Sequence, residues 1–365
     1  MEKKSGFIGT YTEAAYGGRG RGIYSFTLDE QTGALEGPVL AAETRNPSYL
    51  AMGPSKTTLY AVNELSEFEG APTGAVSAFA VERGLRFLNQ RKSGGRDPCH
   101  MVIDQGGAYG VVSNYTGGTL GVFPLEERGA LGEAVQVIRL SGRGHNPRRQ
   151  EGPHAHSFVF DREQNRGFCV DLGTDRLMAY DFHPGSPEPL VPAVLPWFSV
   201  EPGAGPRHGV FDPSGEFLYL VNELDCSLNV LRYTAGDFEK QQSLSTLPPG
   251  GDAAPGLSGE PVASRPTTAA AVRLGPGGKF LYASNRGHDS IACFRVGPGG
   301  LLAPEDWVSS RGKAPRDFCL SPGGEFLLAC NQDSDNVAVF RVDAVTGKLT
   351  LRGEYPVPAP VCLVF

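Results

Sequence analysis

The stretch PRHGVFDPSGEFLYLVN, from Pro206 to Asn222, sets the reading of the whole chain. A proline opens a short apolar strand, Asp212-Pro213-Ser214-Gly215 makes a tight turn, and a second apolar strand from Phe217 ends on Asn222. Proline presets a negative φ and glycine tolerates a positive one, so this order of residues reverses the chain in four positions. A loop, a third strand, a Gly turn and a fourth strand complete the unit. The unit recurs about every fifty residues down the chain, a period that indicates a repeat architecture. Its opening prolines are Pro47, Pro98, Pro153, Pro206, Pro266 and Pro315, with a truncated start at Pro360. Four strands per repeat of this length point to sheets arranged radially around an axis.

Counting turns shows how such a ring closes. Naming the strands of each repeat A to D, the C–D turns fall at Thr32-Gly33, Arg83-Gly84, Arg128-Gly129, Pro184-Gly185, Ala235-Gly236, Pro298-Gly299-Gly300 and Thr346-Gly347. The A–B turns fall near Gly53-Pro54-Ser55, Asp104 to Gly107, Asp161-Arg162-Glu163, Asp212 to Gly215, Gly275 to Gly278 and Ser321 to Gly324. Seven turns of one kind face six of the other. The missing one lies where the chain begins and ends, so Pro360 to Phe365 is expected to supply strand A to strands B, C and D drawn from residues 6 to 45. An unclosed ring would leave unpaired edges. The expectation is an all-β, seven-bladed β-propeller of four antiparallel strands per blade, a single domain over residues 1–365. A solenoid or a two-sheet sandwich would not explain a tail that supplies the missing strand.

Composition agrees. Length alone would suggest two domains, but no break in composition divides the 365 residues. The 49 glycines and 29 prolines suit short strands and turns, and Asn336 to Val342 alternates with a period of two. The formal net charge is −7 and the pI near 5.6, which argues against nucleic acid or an anionic membrane as partner. Met1 to Gly6 is charged and has no apolar run of the kind that leads a protein out of the cell. The seven cysteines, Cys99, Cys169, Cys226, Cys293, Cys319, Cys330 and Cys362, show no C-x-x-C spacing. They read as reduced core residues of a cytoplasmic protein rather than zinc ligands.

In an antiparallel A/B pair the start of A and the end of B lie at the same end. Residues after the opening proline and after the last residue of strand B should therefore share one rim of the central channel. One residue after the proline the repeats carry Ser48, Cys99, His154, Arg207, Thr267, Arg316 and Val361; the next positions add His100, His156, His208 and Asp317. After strand B they carry Tyr11, Glu64, Tyr115, Leu172, Glu223, Arg286 and Gln332. Converging charges of this kind need partners or a ligand, which makes the rim a candidate site. Glu64 has no charged neighbour in its own strand A and reads as structural or peripheral. The loop Gly142 to Gln150, with Arg143, Arg148 and Arg149, enters strand A of the repeat carrying His154 and His156, where it could serve as a lid or an anion clamp.

With these residues in view, the chain resembles the seven-bladed lactonase family, which includes propeller-type 6-phosphogluconolactonases and a carboxymuconate-lactonizing enzyme. The matching stretches are Arg149 to Ser157, Gly205 to His208, Val221 to Leu224, Ala283 to Ser290 and Asn331 to Asn336. The resemblance implies His156, Arg207, Glu223 and Arg286 as catalytic residues. His154, His208, Arg149, Arg316 and Gln332 are the candidates for binding substrate. Many members carry an acidic residue in the strand before Arg286, where this chain has Ala269-Ala270-Ala271-Val272.

The expected activity is hydrolysis of a small anionic lactone, 6-phosphogluconolactone first, as in the pentose phosphate pathway. Glu223 or His156 would be the general base, and the arginines would hold the anionic group or the oxyanion. A lactonizing or lactone-opening reaction on a carboxylated muconate-type substrate, and a non-catalytic propeller binding a partner at its rim, are the alternatives. Gly-x-Ser-x-Gly is missing and no Cys–His pairing is legible. Two arginines at the mouth disfavour a metal, and no cofactor is expected. The partner is the substrate itself, and the chain is expected to be a monomer or a weak homo-oligomer.

Overall fold

The computed structural model describes residues 3–250 and 267–365. Pro266 and the expected Pro248–Arg265 loop beyond Gly250 fall outside them. The described residues form seven four-stranded antiparallel sheets. Blades 1 to 7 have the innermost strands Pro47–Met52, Pro98–Ile103, Ala155–Phe160, Pro206–Phe211, Thr268–Leu274, Pro315–Leu320 and Pro360–Val364. Each innermost strand packs against that of the next blade, and the last returns to the first, so the ring is closed.

Blade 7 joins the two ends of the chain in the order Pro360–Val364, Lys3–Thr10, Gly22–Asp29 and Leu35–Glu43. Phe7 lies opposite Val364, Ile8 opposite Leu363 and Gly9 opposite Cys362. This is the closure expected from the turn count, with the first strand starting at Lys3 rather than at residue 6.

The second strand of a blade is buried on both faces, as in Thr58–Asn63, Phe217–Asn222 and Phe326–Asn331. The outermost strands alternate buried and open positions, as in Leu349–Pro356. Seven apolar clusters fill the seven interfaces between blades; Tyr219 and Val221 of blade 4, for example, pack on Leu281 and Phe294 of blade 5. Several C–D turns depend on glycine for this packing. Gly347 has φ +72°, and a Cβ there would stand 2.4 Å from the Phe280 ring of the neighbouring blade. The Gly347 carbonyl also accepts a 2.7 Å hydrogen bond from the Tyr282 hydroxyl.

Every innermost strand carries one extra residue at the same height. Pro206 faces Asn222 and His208 faces Val221, which leaves Arg207 without an opposite number. The same β-bulge isolates Ser48, Cys99, His156, Arg316 and Val361. In blade 5 the extra residue lies within Ala270-Ala271, between the pairs Ala269–Asn285 and Val272–Ala283. A bulge rotates the backbone locally and redirects its side chain.

This corrects the register read from the prolines. In blade 3 the position of the opening proline is held by Ala155, opposite Asp171, so His156 rather than His154 is the aligned residue. In blade 5 it is held by Ala269, so Ala270, not Thr267, takes the place that Arg207 holds in blade 4.

Candidate active site at the channel mouth

The bulges and the ends of the second strands converge on a cavity of about 530 Å³ at one end of the channel. Six of the seven residues read after strand B line it: Tyr11, Glu64, Tyr115, Glu223, Arg286 and Gln332. Leu172 is the exception and is fully buried. Cys99, His156 and Arg316 join them from the bulges, Arg149 reaches in from its loop, and Ala15, Tyr16 and Gly17 cover one side. Arg207 lies just beneath, its side chain 2 % exposed.

Glu223 organises one wall. Its Oε1 accepts from Arg149 Nη2 at 2.6 Å, and its Oε2 accepts from Arg207 Nε at 2.9 Å and stands 2.8 Å from Arg286 Nη2. These arginines come from a loop and from blades 4 and 5, so one buried carboxylate ties three separate elements together. Arg207 also donates to the Ala270 carbonyl at 2.5 Å, and Arg286 to that of Ala269 at 3.3 Å. The alanine strand thus contributes backbone oxygens where a side-chain carboxylate is absent.

Burial alone would push the Glu223 carboxyl up, but Arg286, Arg207, His156 and Arg149 together outweigh it and hold the group well below the usual carboxylate range. Burial and the Arg286 charge pull Arg207 down to about 10, which leaves it protonated at neutral pH.

His156 sits against this cluster, with Nε2 3.9 Å from Glu223 Oε2 and Nδ1 3.8 Å from Cys99 Sγ. Burial and the Arg207 charge hold the imidazole well below its ordinary value, so it is neutral at physiological pH. The Cys99–His156 contact is a Cys–His pairing that the sequence did not reveal. Burial pushes the Cys99 thiol far up, and Sγ donates to the His156 carbonyl at 3.3 Å. Such a thiol is no thiolate nucleophile.

The opposite wall holds Arg316, Glu64, Tyr11 and Gln332. The Tyr11 hydroxyl donates to Glu64 Oε2 at 2.8 Å, Arg316 Nη2 is 3.6 Å from the same oxygen, and the Arg316 guanidinium lies 5.1 Å from the centre of the Tyr11 ring. Glu64 is therefore part of the mouth and not peripheral. Its partners come from blades 6 and 7, which its own strand could not disclose.

Two candidates sit apart from the cavity. His154 stacks on Tyr115 at 4.4 Å and its Nδ1 lies 3.1 Å from the Tyr115 carbonyl, so it backs the wall rather than lining it. His208 lies below the mouth, with Nε2 3.4 Å from Arg207 Nη1 and its ring 5.3 Å from that of His156. Of the basic loop only Arg149 enters; Arg143 and Arg148 are exposed.

A family model described as "Lactonase, 7-bladed beta-propeller" matches residues 5–365. The chain belongs to this family. It is 37% identical over 372 residues to a 6-phosphogluconolactonase of Bacillus subtilis, covering 100% of this chain and 99% of that one. A solved structure from Bacteroides fragilis, titled a putative 6-phosphogluconolactonase, superposes with a TM-score of 0.88 at 34% identity, over 99% of this chain and 97% of that one. The periplasmic gluconolactonase of Pseudomonas aeruginosa gives 0.89 at 31% identity, over 100% and 99%.

Proposed function

We propose that this protein hydrolyses 6-phosphogluconolactone to 6-phosphogluconate, with His156 as the general base. The observation that carries the mechanism is the saturation of Glu223 by three guanidinium groups beside a neutral, buried imidazole. A carboxylate engaged in this way is a poor proton acceptor, so Glu223 is a positioning residue that balances and orients the arginines. The near-identical length and 37% identity of the Bacillus subtilis 6-phosphogluconolactonase support the substrate.

In this reaction a water held between His156 and the lactone attacks the carbonyl carbon while its proton passes to the imidazole. Negative charge grows on the carbonyl oxygen, and Arg286 on the cavity wall stabilises it, a contribution of ~3 kcal/mol for a well-placed donor, with the charge of Arg207 adding from beneath. The tetrahedral intermediate collapses, the bond from carbonyl carbon to ring oxygen breaks, and the imidazolium returns its proton to the departing oxygen. The Glu223 charge stabilises that imidazolium while it exists.

The seven cysteines are all unpaired, which supports a reducing, cytoplasmic setting. Among the described residues no helix is long and apolar enough to cross a membrane.

The test is hydrolysis of freshly made 6-phosphogluconolactone, corrected for spontaneous opening. Glu223→Gln and Arg286→Ala are each expected to lower kcat/KM about 100-fold, with the fold intact by circular dichroism. Wild-type hydrolysis no faster than buffer would refute the assignment, and full activity in both variants would move the chemistry away from this wall.

A further inference from the structure

Four arginines approach the mouth, and three of them are committed. Arg149, Arg207 and Arg286 each reach Glu223 within 2.9 Å, and each also donates to, or stands against, a second oxygen. Arg316 differs. It makes no hydrogen bond to any described residue, and its closest carboxylate, Glu64, stands 3.6 Å from Nη2 while already accepting from Tyr11. Its side chain is 18% exposed, and what is exposed faces the cavity. The exposed part of this guanidinium is therefore open to an acceptor that enters from the cavity.

The two walls also divide chemically. His156 and the Glu223 cluster hold the groups able to move a proton and stabilise an oxyanion. Across the cavity, Arg316 is the only cationic side chain among the described lining residues outside that cluster. A planar, permanently charged fork suits the paired oxygens of a phosphate. In 6-phosphogluconolactone the phosphate hangs from an exocyclic carbon, outside the ring that carries the carbonyl, so the two ends of the substrate need two separate sites.

We propose that Arg316, with Gln332 on the same cavity lining, is the phosphate subsite, and that it selects lactones bearing a phosphate over the same lactones without one. The inference rests on the lactonase reading for its substrate, but the subsite can be tested independently. Arg149, the other candidate for a phosphate, is held by Tyr115 and Glu223 and acts with the reacting wall.

The experiment compares 6-phosphogluconolactone with glucono-δ-lactone in the wild type, Arg316→Gln, Arg316→Lys and Arg149→Gln. Arg316→Gln is expected to raise KM for the phosphorylated lactone roughly 30-fold, as loss of a charge-assisted contact does. The preference for the phosphorylated lactone should collapse toward unity, with partial recovery in Arg316→Lys. Equal losses on both lactones, no loss, or a selective loss that appears in Arg149→Gln instead would overturn the subsite.

Should the wild type open neither lactone, calorimetry with inorganic phosphate separates the two claims. Binding that is present in the wild type and lost in Arg316→Gln keeps the subsite while the reaction falls. Phosphate that binds both proteins alike, or neither, removes it.

Discussion

Three histidines at and below the mouth, His156, His208 and His100, are buried and meet edge to face, with ring centres 5.3 and 5.7 Å apart along the series. Burial, assisted by Arg207 and Arg273, lowers His100 to about 3 and holds His208 well below its ordinary value, as it does His156. Each folded-state value lies below the unfolded one, so the unfolded chain takes up protons first as pH falls. Their stability contribution is complete above about pH 7.5 and declines below about 6.5, at roughly 1.4 kcal/mol per histidine per pH unit. Glu223 acts in the same direction at lower pH, where its unfolded carboxyl would protonate first. Urea unfolding at pH 8.0, 6.5 and 5.5 should show a flat upper limb and a steep fall, and His208→Asn should make that fall shallower. Equal stability at pH 8.0 and 5.5 would show that these imidazoles are not held neutral. At this scale the sequence brought His156, Arg207, Glu223 and Arg286 to one rim, the first two from the start of strand A and the last two from the end of strand B, but the alignment of His156 with Arg207 emerged only with the bulge. It hid the role of Glu64, because Arg316 and Tyr11 meet it only after the ring has closed.

The element that positions the site is the bulge, and alternation in sequence conceals it. One inserted residue shifts the period-two pattern by a single place, and a strand of six residues offers too little pattern to reveal that shift. Prolines were a good marker in blades 1, 2, 4 and 6, where proline pairs with the last asparagine of the second strand. They misled in blade 3, where Pro153 precedes the strand, and in blade 5. The recurring asparagine was visible, but its purpose was not. Asn63, Asn114 and Asn285 donate to the carbonyls of Arg45, Ser93 and Thr246, on the segments that cross from one blade to the next. Asn331 does the same to Ser310. In blade 3, Asp171 reverses the polarity and accepts from the His154 amide at 2.7 Å. Asn285 also accepts from the Thr246 hydroxyl at 2.6 Å, so Asn285→Ala removes two buried hydrogen bonds at once, leaving the Thr246 carbonyl to Trp307 Nε1 and the hydroxyl to the Cys226 carbonyl. The expected cost is about 1–3 kcal/mol, read as a lower melting temperature, with a raised KM because Arg286 is the next residue. An unchanged melting temperature would show that the latch contributes nothing.

On the scale of the molecule, the seven-to-six imbalance of turns needed only glycines, prolines and counting, and it specified both the number of blades and the pairing of the chain ends. The mouth depends on that pairing. Tyr11 follows directly from the strand Lys3–Thr10, packs with Val361, and carries the loop whose Ala15, Tyr16 and Gly17 cover one side of the cavity. Tyr16 in turn donates to Asp97 of the blade 1 to blade 2 crossing at 2.7 Å, so the closing blade is tied across the mouth. Removing Pro360 to Phe365 would leave Lys3–Thr10 as an unpaired inner edge and uncover Ile8, Phe26 and Leu50. Val361, Cys362 and Leu363 are each at most 5% exposed, and burying side chains of this size contributes about 1.5–3 kcal/mol apiece. Three such residues, with Phe365 against Phe26, approach the ~5–15 kcal/mol that stabilises a whole domain. The truncated chain should therefore fail to unfold cooperatively and should lose activity together with its cover over the mouth. Val361→Ala keeps the strand and its backbone pairing, so it should lower the melting temperature only modestly and retain a single transition. A chain ending at Ala359 that melted at the wild-type temperature would mean that six blades close without the seventh's inner strand, and the site would then have to be rebuilt on a different ring.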